Sequence, residues 1–387
     1  MRICLVSETW APDINGVAHT LGHLADELHG RGVELQLVRP GPSQGVRFQR
    51  AAGMQAELHV RGVSLPGYRE VRIGLPAPRR LQSLWQRQRP DAVYLATQGP
   101  LGWSARRIAR RHDIPVVAGW HTNFDHYCHD YGLPWLEPVL LSALRRFHNG
   151  CAATLVPTHA QVQSLHGQGF QRLAVMGRGI DGERFSPAHR DSRLRTQWGV
   201  DDHTPVALYV GRLAWEKNLT LLEETFRALL EARPDMALVI VGDGPARARL
   251  ETALPDAHFT GFVSREALPR YYASADLFVF PSLSETWGNV VLEAMASGLA
   301  VIAYRHAAAA ELIGHDHHGL AIIPGDETSF RDAAVALSQQ PARFARLGRA
   351  ARQRALEYRW PAITDAFLAV IDHVRERDHE TARPCGV

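Results

Sequence analysis

The sequence of 387 residues has almost no lysine, because 42 of its 43 basic residues are arginine and Lys217 is the exception. It also lacks any apolar run close to the roughly 18–20 residues that span a bilayer as a helix. The four cysteines are scattered and form no CxxC pair, which disfavours a disulfide scaffold and favours a reduced cytosolic protein. Low-complexity tracts and obvious repeats are absent as well. These absences leave a soluble globular protein, long enough for two domains.

Patterns typical of metal and nucleic-acid sites are missing too. Three histidines and two aspartates crowd the segment Trp120–Tyr131 (WHTNFDHYCHDY), but neither HExxH nor a CxxC partner accompanies them, so zinc is not favoured. No nucleic-acid-binding motif or aromatic-interleaved basic stripe occurs. We therefore expect no metal cofactor and no nucleic-acid partner.

Charge is spread unevenly along the chain. Residues 1–175 carry a net charge of +7, and the remainder carries −4. Two segments of the basic half, Gly102–His112 and Leu133–Phe147, join apolar residues to arginines. They are either solvated arginine faces over an apolar stripe or membrane-surface segments. An anionic membrane surface is thus a candidate partner. The first apolar run, Ile3–Val6, is too short for a signal peptide, so we expect a cytoplasmic protein, peripheral at the inner face of the membrane.

Strand-like apolar runs alternate with helical segments through both halves of the chain. This pattern predicts an α/β fold with parallel sheets and helices on both faces. A Gly-rich crossing near residues 175–185 suggests the boundary between two Rossmann-like halves, with a cleft between their carboxyl edges. The predicted domains are residues 1–177, residues 178–360, and a last helix with its tail, residues 361–387. Ser329–Tyr358 and Ala362–Arg375 are each expected to be one helical stretch, with a bend between them at Trp360-Pro361.

The stretch Ser284–Gly298 (SETWGNVVLEAMASG) follows an apolar strand and carries two glutamates eight positions apart. Glu285 falls in the polar loop, and Glu293 falls in an apolar helical run. A carboxylate in such a helix is costly unless it receives hydrogen bonds, as the two hydroxyls of a diol would provide. The alternative is a capping or arginine-paired carboxylate. The helix N-terminus, with its free N–H groups, would favour an anion; it comprises Gly288, Asn289 and Val290.

Arg212 and the lone Lys217 follow another predicted strand, in the segment GRLAWEKN. Two cations at a strand end suit a diphosphate. The plain alternative is a solvated surface pair, worth ~0–1 kcal/mol to stability. Because Lys217 is the single lysine of the chain, its presence is better explained by a site that requires a compact ammonium group than by chance.

Together these motifs resemble the retaining glycosyltransferases of the GT-B fold, family four (glycosyltransferase group 1), and bacterial lipid glycosyl- and mannosyltransferases in particular. The E-x7-E spacing, the GR…K segment and the HTNF…Y…YG pattern carry the resemblance, which covers nearly the whole chain. It implies two Rossmann-like domains facing a cleft, with the last helix of residues 361–387 crossing back to the first domain. It also implies transfer of glucose, mannose or galactose from a UDP- or GDP-sugar to an acceptor hydroxyl, with a membrane lipid favoured as acceptor.

The resemblance also implies roles for residues. Arg212 and Lys217 would bind the pyrophosphate, Glu293 the ribose, and Glu285 would lie by the sugar and phosphates. His121 would line the donor-sugar pocket. The remaining implied contacts are the glycine loop at Asn15 and Gly16, the nucleobase turn at Gly261 and Val263, and the acceptor side at Asp125, His126 and Tyr127. The resemblance implies a front-face reaction in which the departing phosphate helps to deprotonate the acceptor.

Three other functions fit parts of the same pattern. A sugar phosphorylase or sucrose-synthase-like enzyme would use the same fold, and so would a transferase acting on a soluble glycan. A nucleotide-sugar epimerase would convert the donor without an acceptor. A catalytically silent binding module is disfavoured, because all the charged site positions are present.

Overall fold

The computed structural model describes residues 1–11, 13, 16–41, 51–65, 68–121 and 137–381. The chain divides into two compact units. The first unit comprises residues 1–179 together with 360–387, and the second comprises residues 180–359.

The first unit is built on a seven-stranded parallel sheet in the order β3-β2-β1-β6-β7-β8-β9, with a separate antiparallel pair, β4-β5. The strands are β1 (Arg2–Val6), β2 (Glu34–Pro40), β3 (Met54–Val60), β4 (Gly62–Leu65), β5 (Tyr68–Gly74), β6 (Ala92–Leu95), β7 (Val116–Gly119), β8 (Ala153–Val156) and β9 (Leu173–Val175). The helices are α1 (Gly16–Gly30), α2 (Pro78–Arg87), α3 (Pro100–Arg111), α4 (Glu137–His148), α5 (His159–Gly167) and α14 (Trp360–Thr381).

Helix α14 supplies part of the core of the first unit, although it comes last in the chain. Trp360, Phe367 and Ile371 are buried in the same cluster as Leu5, on β1, and Leu21, on α1. The Trp360 ring also stacks on His23 of α1, with ring centroids 4.8 Å apart. The sheet of the first unit is therefore covered by residues from both ends of the chain.

The second unit holds a six-stranded parallel sheet in the order β12-β11-β10-β13-β14-β15. Its strands are β10 (Val206–Val210), β11 (Ala237–Val241), β12 (His258–Gly261), β13 (Leu277–Phe280), β14 (Ala300–Tyr304) and β15 (Leu320–Ile322). Its helices are α6 (Ser192–Gln197), α7 (Leu219–Ala232), α8 (Arg247–Ala253), α9 (Leu268–Ala273), α10 (Asn289–Ala296), α11 (Ala307–Leu312), α12 (Glu327–Ser338) and α13 (Pro341–Ala355). Strands β10, β11, β13 and β14 are buried along their whole length, as expected for a sheet covered on both faces.

The predicted fold class is confirmed, but several element boundaries differ from the sequence prediction. The stretch Ser329–Tyr358 is two helices rather than one, because Pro341 has no N–H for a continuing helix and starts α13 instead. The last helix, α14, begins at Trp360, so the pair Trp360-Pro361 is its first turn, directly after the connection from α13. The short helices α9 and α11 were not predicted. Among the described helices, none combines the length and the apolar character needed to cross a membrane.

Candidate functional site

Each sheet has a switch point, which is a strand at which the order of successive strands reverses direction across the sheet. In the first unit, β1 lies between β2 and β6, and in the second unit, β10 lies between β11 and β13. Successive connections leave to opposite sides there, so the loops after these strands separate and leave a crevice at the carboxyl edge. Ligands of open α/β sheets bind at such switch points.

Lys217 and Glu285 meet at the switch point of the second sheet. Lys217 ends the 3₁₀ turn Trp215–Lys217 after β10, and Glu285 follows β13. The Lys217 Nζ atom donates to Oε1 of Glu285 at 2.7 Å and to the Ser284 hydroxyl at 3.2 Å. Ser282 donates to the same Glu285 oxygen at 3.0 Å. The ammonium and the carboxylate are each only 19% exposed, so this ion pair is fixed within the protein.

The loop after β13 leads directly into α10. Gly288 is the residue before the helix and has a φ of 89°, a conformation that disfavours side chains with a Cβ. Asn289 is the first helical residue and Val290 the second. The backbone carbonyl of Glu285 accepts a hydrogen bond of 3.1 Å from Nε2 of His306, which fixes the loop from the end of β14. The N-terminus of α10 therefore opens beside the Lys217–Glu285 pair.

Arg212 lies in the same loop as Lys217 but is held less firmly. Its side chain is 54% exposed, and Nη1 lies 3.7 Å from a carboxylate oxygen of Glu216, four residues on. An exposed pair of this kind contributes little to stability. Its guanidinium can therefore leave Glu216 at small cost.

Glu293 lies in the second turn of α10 and is partnered by a tyrosine. The Tyr272 hydroxyl, from α9, donates to Oε2 of Glu293 at 3.0 Å. Burial raises the pKa of Glu293, while Tyr272 and the charges of Arg265 and Arg184 oppose that rise. Among the described residues, none donates a hydrogen bond to the other oxygen, Oε1. The sequence left two alternatives for Glu293, a carboxylate that caps a backbone group or one that pairs directly with an arginine. Neither describes the contact with Tyr272.

The predicted nucleobase turn follows β12. Gly261 ends that strand with a φ of 68°, and Val263 packs against the core of the second unit. Phe262 lies between them and is 66% exposed. Sequence reasoning passed over this aromatic ring, although its place in a Gly-bearing turn after a strand was a signal.

In the first unit, His121 follows β7 and belongs to a buried cluster of three side chains. Nη2 of Arg178 donates to Nδ1 of His121 at 2.6 Å, and Nε2 lies 2.8 Å from the Tyr94 hydroxyl. Because a guanidinium can only donate, Nδ1 is unprotonated, and the proton is on Nε2. Burial and the charge of Arg178 lower the pKa of His121 well below its usual value. The ring is therefore neutral, and both of its nitrogens are engaged within the protein.

Glu8 is a buried carboxyl group at the carboxyl edge of the first sheet that sequence reasoning did not single out. It follows β1 at the switch point of the first sheet, and its backbone N–H donates to the Thr97 hydroxyl at 3.1 Å. Burial raises the pKa of its carboxyl to about 7, although backbone groups of Leu101 and Gly74 donate to it. A polar residue directly after the first strand was the available signal.

The other predicted positions fall at or outside the described residues. The sequence pattern predicts a helix over Leu21–Gly30, but α1 already begins at Gly16, so Gly16 lies at a helix N-terminus rather than within a loop. Asn15, Asp125, His126 and Tyr127 lie outside the described residues. Among the residues that are described, no cluster of three His, Cys, Asp or Glu side chains could hold a metal ion. The cleft between the two units stays a prediction.

Tyr272, Ser282, Ser284 and His306 complete the second-unit site, and their contacts were not predicted. The serines and the histidine follow strands β13 and β14, so their place at the carboxyl edge was a usable signal. Tyr272 gave no signal, because its role depends on how the unpredicted helix α9 packs against α10.

Paired parallel sheets with charged side chains at a carboxyl-edge switch point define the GT-B class of transferases. A solved structure of sucrose-phosphate synthase from Thermosynechococcus elongatus shares the fold, with a TM-score of 0.79, 18% identity, and coverage of 97% of this chain and 99% of that one. Residues 14–184 match the family described as Glycosyltransferase Family 4, and residues 191–354 match Glycosyl transferases group 1.

Two curated relatives match nearly the whole chain. A GDP-mannose-dependent alpha-mannosyltransferase of Mycobacterium tuberculosis (strain CDC 1551 / Oshkosh) is 34% identical over 97% of this chain and 98% of its own length. A GDP-mannose-dependent alpha-(1-6)-phosphatidylinositol dimannoside mannosyltransferase of Mycobacterium tuberculosis (strain ATCC 25177 / H37Ra) is 28% identical, with 96% of each chain covered. The chain belongs to the family-four, group 1 glycosyltransferases, which are retaining enzymes that use nucleotide-sugar donors.

Proposed function

We propose that this chain transfers mannose from GDP-mannose to a hydroxyl group of a membrane lipid. The GDP-mannose-dependent relatives support the donor, and the phosphatidylinositol dimannoside mannosyltransferase supports a lipid acceptor. The observation that carries the proposal is the Lys217–Glu285 pair at the switch point of the second sheet. It places a fixed ammonium where a sugar diphosphate is expected to lie.

The leaving diphosphate would be stabilised by three groups of the second unit. Lys217 supplies a positioned charge, Arg212 supplies a guanidinium that is free to turn, and the start of α10 supplies backbone N–H groups. Positioned donors and cations of this kind stabilise charge that develops in the transition state. Glu285, oriented by Lys217 and Ser282, would lie by the sugar.

Glu293 would bind the ribose of the nucleotide. Tyr272 occupies Oε2, so Oε1 is the oxygen that would accept from a ribose hydroxyl. We further propose that Gly16 and His121 lie on the sugar side and that Asn15, Asp125, His126 and Tyr127 belong to the acceptor side. Since both ring nitrogens of His121 are engaged, a contact to the sugar would come from its backbone or require Tyr94 or Arg178 to move.

The first test is a donor and acceptor screen on the purified full chain. GDP-mannose should stabilise the protein against heat more than UDP-sugars do, and mannose should appear on a lipid of an added membrane extract. Preference for UDP-glucose would reject GDP-mannose as the donor, and transfer only to a soluble glycan would reject a membrane lipid as the acceptor.

The second test changes Lys217, the residue on which the proposal depends. Lys217→Ala should lower kcat by roughly 10²–10³-fold with the fold retained, because it removes a positioned charge from the leaving group. Arg349→Ala, at an exposed arginine of the same unit, is the matched control and should leave kcat unchanged. Near-wild-type turnover of Lys217→Ala would reject the assignment of the site.

A further inference from the structure

A cavity of about 1100 Å³ opens on the first unit, and Gly99 of its lining packs against the carboxylate of Glu8. It lies beside α3, with the start of α2 on one side and the end of α4 on the other. Five arginines line it, and no aspartate or glutamate among the described residues does. The five are Arg106, Arg107, Arg110, Arg111 and Arg146. We call this cavity the arginine groove.

The arginines converge because of how α3 is packed. The helix buries Leu101, Ala105 and Ile108 on one face. Trp103 and the arginine pairs 106–107 and 110–111 recur every three to four positions, so they share the opposite face. Arg146 reaches the same groove from α4. The sequence prediction of an amphipathic arginine segment at Gly102–His112 thus corresponds to a concave site.

Arg106 is the arginine of the groove whose guanidinium is held in place by contacts within the protein. Its Nη1 donates to the backbone carbonyls of Arg146 and Phe147 at 2.8 and 2.7 Å, and its guanidinium lies 4.6 Å from the centre of the Trp103 ring. Burial lowers the pKa of Arg106, so the protein holds this cation in place at an electrostatic cost. Gly150 makes the position possible, because a Cβ at that residue would overlap Nη1.

A purely structural role does not account for the whole groove. Arg110 and Arg111 are in the last turn of α3, where cations favourably meet the helix dipole. Arg146 is likewise in the last turn of α4, and Arg106 donates to carbonyls of that turn. These helix-end contacts leave Arg107 unexplained, as well as the gathering of five arginines around one cavity. Positive charge gathered in a concave site with no acidic partner among the described lining residues favours the binding of an anion there.

We propose that the arginine groove binds the phosphate of an anionic lipid headgroup. Arginine forks match phosphate oxygens, and a volume of this size suits a headgroup better than an isolated phosphate ion. Nucleic acid fits less well, because the Trp103 ring is covered by Arg106 and is not available for base stacking.

The groove reaches the carboxyl edge of the first sheet. Gln98 and Gly99 line it and directly follow β6, one of the two switch-point strands. A headgroup in the groove therefore lies next to the edge at which the acceptor is expected. This inference rests on the proposed lipid acceptor. It assigns to α3 the attachment of the protein to the membrane.

Vesicle flotation of the full chain tests the charge of the groove. The double variant Arg107→Gln/Arg110→Gln should lower the partition onto phosphatidylcholine vesicles containing phosphatidylinositol by roughly thirtyfold, since each arginine at an anionic surface contributes a roughly fivefold effect. The control Arg193→Gln/Arg349→Gln removes two exposed arginines of the second unit, with the same change in net charge. Equal losses in both double variants would overturn the proposal in favour of diffuse attraction.

A second pair of variants tests the shape of the groove at constant charge. Gly150→Ala should displace Arg106 and weaken binding severalfold, whereas Gly167→Ala, where a Cβ meets nothing within 4 Å, should leave it unchanged. Unaltered vesicle binding by Gly150→Ala would refute the assigned pocket, provided that thermal stability shows both variants to be folded.

Competition distinguishes the sources of phosphate. Stabilisation by inorganic phosphate without binding to phosphatidylinositol vesicles, or displacement from vesicles by a twenty-nucleotide DNA strand at lower concentration than the lipid, would overturn a lipid site. Stabilisation by GDP-mannose should be the same in wild type and groove variants. If GDP-mannose stabilises none of them, the proposed donor fails, while the vesicle result still decides the groove.

Discussion

Lys217 and Glu285 show what the sequence reveals at the scale of single residues. Both follow strongly apolar strands, so their location at a carboxyl edge could be predicted, and the structure places their charged atoms 2.7 Å apart across 68 positions of chain. Tyr272 could not be predicted, because a hydrogen bond from one helix to another depends on packing that no local pattern records. Glu8 was missed because its surroundings come from β5 and α3, far along the chain.

The Tyr272 hydroxyl should set the ionisation of Glu293. Burial raises the pKa of Glu293 and the hydroxyl opposes this, so Tyr272→Phe should move protonation of the carboxylate to higher pH. Because the variant loses the hydrogen bond that Tyr272 donates to the charged Glu293 carboxylate, it should bind GDP roughly tenfold more weakly at neutral pH. Titration calorimetry between pH 5 and 8 measures both effects.

Tyr271→Phe is the matched control, since that neighbouring ring contacts Trp198 instead. It should leave GDP affinity and its pH dependence unchanged. Equal affinity in the Tyr272 variant and wild type across the pH range would show that Glu293 does not contact the nucleotide.

Glu8 should make the first unit less stable as the pH rises. Its pKa is raised by burial from the usual 4.5 to about 7, so the folded state retains a proton that the unfolded chain releases in that interval. The contribution of Glu8 to stability is therefore lost as pH rises from about 4.5 to about 7. Glu8→Gln should flatten this part of the profile of thermal midpoint against pH.

The exposed Asp26 of the same unit gives the comparison, as Asp26→Asn should keep the wild-type profile. A Glu8→Gln protein with an unchanged slope between pH 5 and 7 would contradict the assignment of the buried proton.

At the scale of elements, strands were more predictable than helix ends. The apolar run Val116–Gly119 predicts a strand with the bounds that β7 has in the structure, because a strand buried on both faces is a continuous apolar run. The start of α1 at Gly16 was not predicted, although Asn15, the residue directly before it in the sequence, is of a type that favours helix N-caps. The break at Pro341 could have been predicted from the proline itself, which cannot continue a helix.

Helix α10 offers a test of whether its N-terminus binds the donor. Gly288 and Gly298 flank the two ends of the helix with φ values of 89° and 80°, so alanine at either is strained by roughly 1–2 kcal/mol. Both variants should lose thermal stability. Gly288→Ala alone should also lower affinity for GDP-mannose severalfold, because it disturbs the first N–H groups of the helix.

Binding measured by thermal shift and by calorimetry separates the two effects. Gly298→Ala should bind GDP-mannose as wild type does, since a Cβ there meets Pro187 at the far end of α10. Comparable losses of affinity in both variants would indicate general destabilisation and reject the anion site.

At the scale of the whole molecule, the two-sheet architecture followed from the alternation of strands and helices. The order of strands within each sheet did not, because alternation fixes which elements occur and leaves open which strands are neighbours. Trp360, Phe367 and Ile371 of α14 lie in the core of the first unit, and fully burying each side chain contributes about 1.5–3 kcal/mol. That sum is a large part of the 5–15 kcal/mol that keeps a typical domain folded.

A fragment of residues 180–359 should therefore fold alone, bind GDP and transfer nothing, whereas residues 1–179 alone should not fold stably. Circular dichroism, thermal unfolding and a GDP titration of the two fragments check this. Cooperative unfolding of residues 1–179 near the midpoint of the intact protein would show that α14 is dispensable to the first unit.

The return of α14 to the first unit also sets an order of events during synthesis. The ribosome makes residues 180–359 before the helix that completes the earlier unit has emerged, a delay of about 10–40 s at roughly 5–20 residues per second. During that interval the nascent first unit exposes the apolar surface that α14 later covers, so chaperone occupancy should be concentrated there and end once residues 360–381 leave the exit tunnel.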